Sequence, residues 1–368
     1  METKLLNGNN KEAIAEASKI LQDGGLVAFP TETVYGLGAD ALNADAAAKI
    51  YAAKGRPSDN PLIVHIADTD AVEKLADLET MNRTHPDMVK KAHMLMEAFW
   101  PGPLTIIFPK LAIVPDGTTG GLPTVAIRMP SHPIAQELIR TSGVSIAAPS
   151  ANTSGRPSPT TAQHVWEDMD GRIEMILDGG AVGIGIESTI VDMTGTIPTI
   201  LRPGFITKTM LSEIVGDVTI DPAIIEPDPN LRPKAPGMKY THYAPHGTLS
   251  IVEAVADESA NRASLHSGVK VSYNATEAET LRVAEKIKAL VNEKEAQGYK
   301  VAILTTKEHA SLYKNYSHVL IVGEGSKGQT ISARLYAALR ECDSEQMEYM
   351  YSEAFDQNEL GGAIMNRL

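Results

Sequence analysis

Within the first 215 residues, three loops each set an arginine directly before a proline: Arg56-Pro57, Arg156-Pro157 and Arg202-Pro203. Proline fixes its own φ and restricts the residue before it, so each guanidinium is carried on a stiffened stretch of backbone. A guanidinium held in this way suits bidentate contact with a phosphate or a carboxylate. The chain as a whole is acidic, with 33 Lys and Arg against 46 Asp and Glu and a net charge of −13. Long-range attraction of nucleic acid or anionic lipid is therefore not expected, and an anion has to be met by local groups. Convergence of the three arginines on one anion is the expectation. The loops around them supply small donors. PSANTSGRPSP (149–159) offers Ser150, Asn152, Ser154 and Ser158, far more than a turn requires. KGRPSDNP (54–61) adds Lys54 and Asn60, and PTETVYGLG (30–38) sets Thr31, Glu32, Thr33 and Tyr35 behind a short apolar run. Lys54 also has a simpler reading as a cation closing a helix, and His65 in LIVHI as a structural strand histidine.

Several chemistries are excluded by what the sequence lacks. There is no G-x-x-x-x-G-K-S/T, so a nucleoside triphosphate is not held by a Walker loop. Neither H-E-x-x-H nor G-x-S-x-G occurs. The single cysteine, Cys342, rules out an internal disulfide and a paired-cysteine metal or redox motif, and suits a reducing cytoplasm. Gly36-Leu37-Gly38-Ala39-Asp40-Ala41 imitates a dinucleotide fingerprint, but PTETVY separates it from the preceding strand, so packing or a turn explains the glycines better. No metal ligands can be assigned. With no apolar leader and no apolar run of about eighteen residues, the expectation is a soluble cytoplasmic protein.

These residues need a frame that brings strand ends together. Helical patterns from Asn10, over 43–54, 86–98, 132–142 and 161–169 alternate with short apolar runs at LVAF, LIVHI, LTIIF, TVAIR and 144–148, then near 173–177, 188–192 and 199–202. That alternation predicts a mixed α/β domain over 1–215. A proline-rich stretch without a sustained period, 216–247, reads as a linker. TLSIVEA, VKVSY, KVAILTT and HVLIV, separated by helical patterns, predict a small doubly wound α/β domain over 248–368.

PTETVYGLG, KGRPSDNPLIVHI, WPGPLT, TVAIRMP, PSANTSGRPSPT, ESTIVD, ILRPG and the linker APGMKYTHYAP follow one another in an order and spacing that resemble the L-threonylcarbamoyladenylate synthase family in its longer, two-domain form. The resemblance implies a YrdC-like twisted mixed sheet with flanking helices, followed by a small Rossmann-like C-terminal domain. It implies a nucleotidyltransferase that makes threonylcarbamoyl-AMP and pyrophosphate from L-threonine, bicarbonate or CO2 and ATP, with Mg2+ accompanying the nucleotide. The product then passes to a complex that modifies tRNA beside the anticodon. By motif position, Thr33, His65, Arg128 and Ser188 fall where the family contacts threonine. Arg56, Asn60, Thr124, Ser150, Ser158 and Arg202 fall where it contacts ATP. Lys54 and Arg56 take the catalytic positions, and a linker tyrosine, Tyr240 with Tyr243 as the alternative, closes over the nucleotide. Two other classes stay open at this level. One is a double-stranded RNA or tRNA binding module, which would show RNA affinity falling steeply with salt. The other is a transferase using carbamoyl phosphate without free threonine.

Overall fold

The computed structural model describes residues 2–224, 234–236, 243–253, 276–355 and 359–368. The chain divides into two compact units, Met1–His242 and Tyr243–Leu368. In the first unit the strands are β1 (Lys4–Asn7), β2 (Val27–Phe29), β3 (Gly36–Asp40), β4 (Ile63–His65), β5 (Leu104–Pro109), β6 (Thr124–Arg128), β7 (Ile146–Ala148), β8 (Met175–Asp178), β9 (Thr189–Asp192), β10 (Thr199–Arg202) and β11 (Thr219–Ile220). Its helices are α1 (Lys11–Gln22), α2 (Ala44–Lys54), α3 (Leu78–Thr84), α4 (Pro86–Phe99), α5 (Asp116–Thr119), α6 (Pro133–Ser142), α7 (Ala162–Met169) and α8 (Lys208–Val215).

All eleven strands join one mixed sheet in the order β1-β8-β2-β3-β7-β4-β6-β5-β9-β10-β11. β11 lies beyond residue 215, so the sheet continues into the stretch expected to be linker. The helix starts follow local chemistry: Asn10, Asn43, Thr161 and Thr207 each accept a backbone N–H from the first turn.

Strand alternation divides the core. Leu26, Ala28, Val64, Ile106, Ile127, Val191 and Ile200 face one layer, while Val27, Phe29, Ile146, Ala148, Met175 and Leu177 face the other and meet α1 and α6. Ile63, Ile107, Ala126, Ile190 and Leu201 form a further apolar group, which is completed by Ala235. The glycines of GLGAD belong to a strand. A Cβ on Gly38 would stand 2.7 Å from Ile146 and 2.8 Å from the Phe29 ring, so close packing explains this glycine and no phosphate loop is needed.

The second unit has a four-stranded parallel sheet in the order β12-β15-β13-β14, from β12 (Thr248–Val252), β13 (Val301–Thr306), β14 (Val319–Gly323) and β15 (Tyr349–Glu353). α9 (Glu277–Ala296), α10 (Gly328–Ser344) and α11 (Glu359–Met365) accompany it. Three of these strands match expected ones, whereas VKVSY lies outside the described residues. The interior strand β15, YMYSE, is not among those expected above. Tyr243 packs in this unit, its ring centroid 5.3 Å from that of Tyr336, with the Arg367 guanidinium 5.9 Å from its centre.

Candidate active site

Strand register assembles one row of side chains. His65 pairs with Arg128 across β4 and β6, and Arg128 pairs with Thr105 across β6 and β5. Thr105 Oγ1 lies 2.7 Å from Ser188 Oγ, just before β9. By alternation these residues share a face with Ile63, Ala126, Ile107 and Ile190. The row then continues through the chain neighbour Glu187, whose Oε1 accepts from Ser158 Oγ at 2.6 Å. Sheet pairing and two hydroxyl contacts therefore connect the β4-β6 strand ends to the PSANTSGRPSP loop.

Arg128 is the hub. Its Nε donates to the Gly102 carbonyl at 3.3 Å, Nη1 to Thr33 Oγ1 at 2.9 Å, and Nη2 to Glu32 Oε1 at 2.6 Å. Thr33 Oγ1 is also 2.9 Å from Thr31 Oγ1. The ion pair is largely enclosed, with side-chain exposures of 4% for Arg128 and 14% for Glu32. WPGPLT supplies the Gly102 carbonyl, and the Gly102 N–H donates to Met129 O at 2.7 Å, which ties that turn to the end of β6.

Lys54 does more than close α2. Its Nζ donates to Ser150 O at 2.5 Å and to Asn152 O, and lies 3.4 Å from Asn152 Oδ1. The Lys54 carbonyl accepts from Ser154 N at 2.9 Å, so the helix end and the loop hold each other at both ends of one residue. Ser150 Oγ donates to Asn152 Oδ1 at 2.5 Å. Arg56 curls onto its own loop, with Nε donating to Asn60 O at 3.3 Å and Nη2 to Pro61 O at 3.1 Å. Among the described residues, Asn60 Oδ1 is buried without a hydrogen-bond partner.

Each of the three arginines expected to converge has protein partners of its own. The Arg156 guanidinium pairs with Asp168, a buried carboxylate on α7, twelve residues on. Arg202 is buried, its Nε and Nη2 donating to Ser188 O at 3.0 Å and Ser188 Oγ at 3.1 Å, with Nη1 3.5 Å from Pro236 O. Its loop leaves no room for a side chain at Gly204, where a Cβ would stand 2.5 Å from Thr189 N and 2.7 Å from Glu187 O.

Thr33, His65, Arg128 and Ser188 are thus brought to one region of the sheet face, and Arg202 joins them through Ser188. Lys54 and Ser150 belong to a second cluster. Thr124 is set apart from the first, four residues before Arg128 on the same strand, or about 13 Å along it. Ser158 is fully buried and gives its hydroxyl hydrogen to Glu187, which leaves its oxygen to accept and not to donate. Tyr240 lies outside the described residues. From the sequence, Glu32 is only one of a polar cluster, without a role, and Glu187 is not singled out. The signal available was a carboxylate next to each of two hydroxyl-bearing positions, Thr33 and Ser188.

His65 is neutral. Burial first, and the Arg128 charge second, push its pKa down to about 3 from 6.5. Its Nδ1 lies 3.1 Å from Ile63 O, a backbone carbonyl that can take the ring hydrogen. A folded-state pKa below the unfolded value means that the unfolded chain takes up a proton first as pH falls. Stability is therefore complete above about pH 6.5 and declines toward pH 3. Urea unfolding is expected to show about 2 kcal/mol more loss between about pH 6.5 and pH 5 in the parent than in His65→Gln. Equal losses in the two proteins would place the titration elsewhere.

The site combines buried cations, hydroxyls and a neutral imidazole on a mixed α/β sheet. Residues 19–204 match the Sua5/YciO/YrdC family model, described as telomere recombination. Residues 206–368 match the model described as threonylcarbamoyl-AMP synthase, C-terminal domain. The chain is 46% identical over 360 residues to the threonylcarbamoyl-AMP synthase of Bacillus subtilis, covering 98% of this chain and 92% of that one. It is 40% identical over 365 residues to the Pyrococcus abyssi threonylcarbamoyl-AMP synthase, covering 98% and 95%. The crystal structure of P. abyssi Sua5 complexed with L-threonine superposes with a TM-score of 0.84 at 40% identity, covering 100% of this chain and 96% of that one. This chain belongs to the threonylcarbamoyl-AMP synthase family.

Proposed function

We propose that this protein is a nucleotidyltransferase that forms threonylcarbamoyl-AMP and pyrophosphate from L-threonine, bicarbonate or CO2 and ATP. The observation that carries the reading is the polar row from Arg128 through Thr105 and Ser188 to Glu187 and Ser158, in a chain similar to threonylcarbamoyl-AMP synthases along its whole length. On this reading the row joins an amino-acid subsite to a nucleotide subsite. The Arg128 end takes the threonine carboxylate, with Thr33, His65 and Ser188 around the rest of the amino acid. Arg56, Asn60, Ser150, Ser158 and Arg202 serve the nucleotide. Thr124 stays a proposal for the far rim, and Tyr240 for closing over the nucleotide.

The chemistry needs no protein nucleophile. The threonine amine condenses with bicarbonate and releases water. A carbamate oxygen then attacks the α-phosphorus, and pyrophosphate leaves with the bonding pair. Positioning and charge compensation by Lys54, Arg56 and Arg202 are what such a transfer requires. Magnesium enters as counter-ion of the ATP phosphates. Among the described residues no group of three or more His, Cys, Asp or Glu side chains is placed to hold a metal ion. Among them too, no helix is long and apolar enough to cross a membrane. The product is a reactive mixed anhydride, which fits handover in the cytoplasm to a tRNA-modifying transfer complex.

Pyrophosphate release is the test. It is expected to need ATP, threonine and bicarbonate together, and serine is expected to be roughly ten- to two-hundredfold poorer than threonine, the worth of one methyl in an apolar pocket. Release that continues at the same rate without threonine, or with carbamoyl phosphate in its place, would overturn the assignment.

A further inference from the structure

We propose that Glu32 is a positioning residue for amino-acid recognition: it aims the Arg128 guanidinium and so sets the affinity for the amino-acid substrate without touching the nucleotide. This rests on the reading of the Arg128 end as the amino-acid subsite.

Each carboxylate oxygen of Glu32 has a different task. Oε1 takes Arg128 Nη2 at 2.6 Å, and Oε2 takes the backbone N–H of Ser131 at 3.1 Å, three residues past the guanidinium in the loop that leads to α6. The carboxylate therefore clips the end of β6 to the β2–β3 connection at two points. On either side of Glu32 in sequence, Thr31 and Thr33 lie 2.9 Å apart through their hydroxyls, and Thr33 also accepts from Arg128 Nη1 at 2.9 Å. Thr31 Oγ1 donates to Val34 O at 2.7 Å, which closes the turn on itself. The arginine has five N–H hydrogens, and three are committed to Gly102, Thr33 and Glu32. One hydrogen remains on each terminal nitrogen among the described contacts. Where those two hydrogens point is fixed by the carboxylate, because an arginine side chain is otherwise free about several bonds and loses affinity when it is not pre-aimed. His65, the register neighbour of Arg128, is neutral and supplies no competing charge.

A merely structural ion pair would affect all activities together, whereas a positioning residue separates them. In steady-state pyrophosphate release, Glu32→Gln keeps the shape and removes the charge. It is expected to raise KM for threonine about 10- to 100-fold, with KM for ATP within about twofold of the parent, and Glu32→Asp is expected to fall between the two. Calorimetric titration of threonine into each protein reads the same ratio without turnover. An unchanged threonine KM in Glu32→Gln would overturn the proposal. So would a parallel loss of threonine affinity, ATP affinity and melting temperature in both variants. If the parent itself shows no saturable threonine binding, the amino-acid reading of the site fails, and that outcome is distinct from a failure of Glu32 alone.

Discussion

Replacing Lys54 with methionine is expected to lower the unfolding free energy by roughly 2 to 5 kcal/mol and kcat/KM by on the order of a hundredfold. The two effects have one origin. The ammonium donates to the carbonyls of Ser150 and Asn152, and without it both acceptors are left in a place that water does not fill, since Lys54 is 3% exposed. Leaving a buried acceptor unsatisfied costs about 1 to 3 kcal/mol. The same loss frees the loop that carries Ser150, whose hydroxyl is held on Asn152 Oδ1. Methionine keeps most of the stem volume, so a cavity does not confuse the outcome. Urea unfolding and the pyrophosphate assay measure the two quantities, and a variant as stable and active as the parent would mean that the loop holds its shape unaided.

Arg128→Ala is expected to be at least as damaging. Its removal strands the Glu32 carboxylate, which is only 14% exposed, and breaking an enclosed ion pair on one side typically costs about 3 to 5 kcal/mol. It also releases Thr33 and Gly102, and threonine-dependent turnover is expected to fall by on the order of 10² to 10³. The double variant Glu32→Ala/Arg128→Ala should be more stable than Arg128→Ala alone, because the stranded charge has gone with its partner. Turnover should stay low in both. A double variant less stable than either single one would show that the pair adds little and that packing holds this corner.

The sequence made the catalytic unit legible through its motifs and strand periods. GRP, PSAN and LRPG mark loops where stiff backbone carries a functional group, and LIVHI and TVAIR place His65 and Arg128 at strand ends that the register indeed pairs. Partner choice was not legible. Arg156 looks like Arg56 and Arg202 in its local sequence, and only the fold brings Asp168 of α7 against it. For GLGAD the sequence leaves close packing or a turn open, and what decides for packing, the Phe29 ring across the strand pair, is non-local. In the second unit YMYSE ends in a glutamate, a poor sign for an interior strand. That carboxylate is buried in the structure, accepting from Thr305 Oγ1 and Thr306 N at 2.8 Å and lying 2.6 Å from His309 Nδ1. A partner half a domain away made the residue acceptable there.

Ala235 has a consequence for dissecting the chain. It covers five apolar side chains, Ile63, Ile107, Ala126, Ile190 and Leu201, and the neighbouring Pro236 carbonyl is 3.5 Å from Arg202. A shortened protein that stopped after β11 would keep every strand of the large sheet, yet it would open that greasy surface beside Arg202. A fragment of this chain that keeps that surface covered therefore runs past Pro236. Its natural boundary is set by three residues that form no helix or strand, and a fragment cut by counting secondary structure would be prone to stick to its own copies.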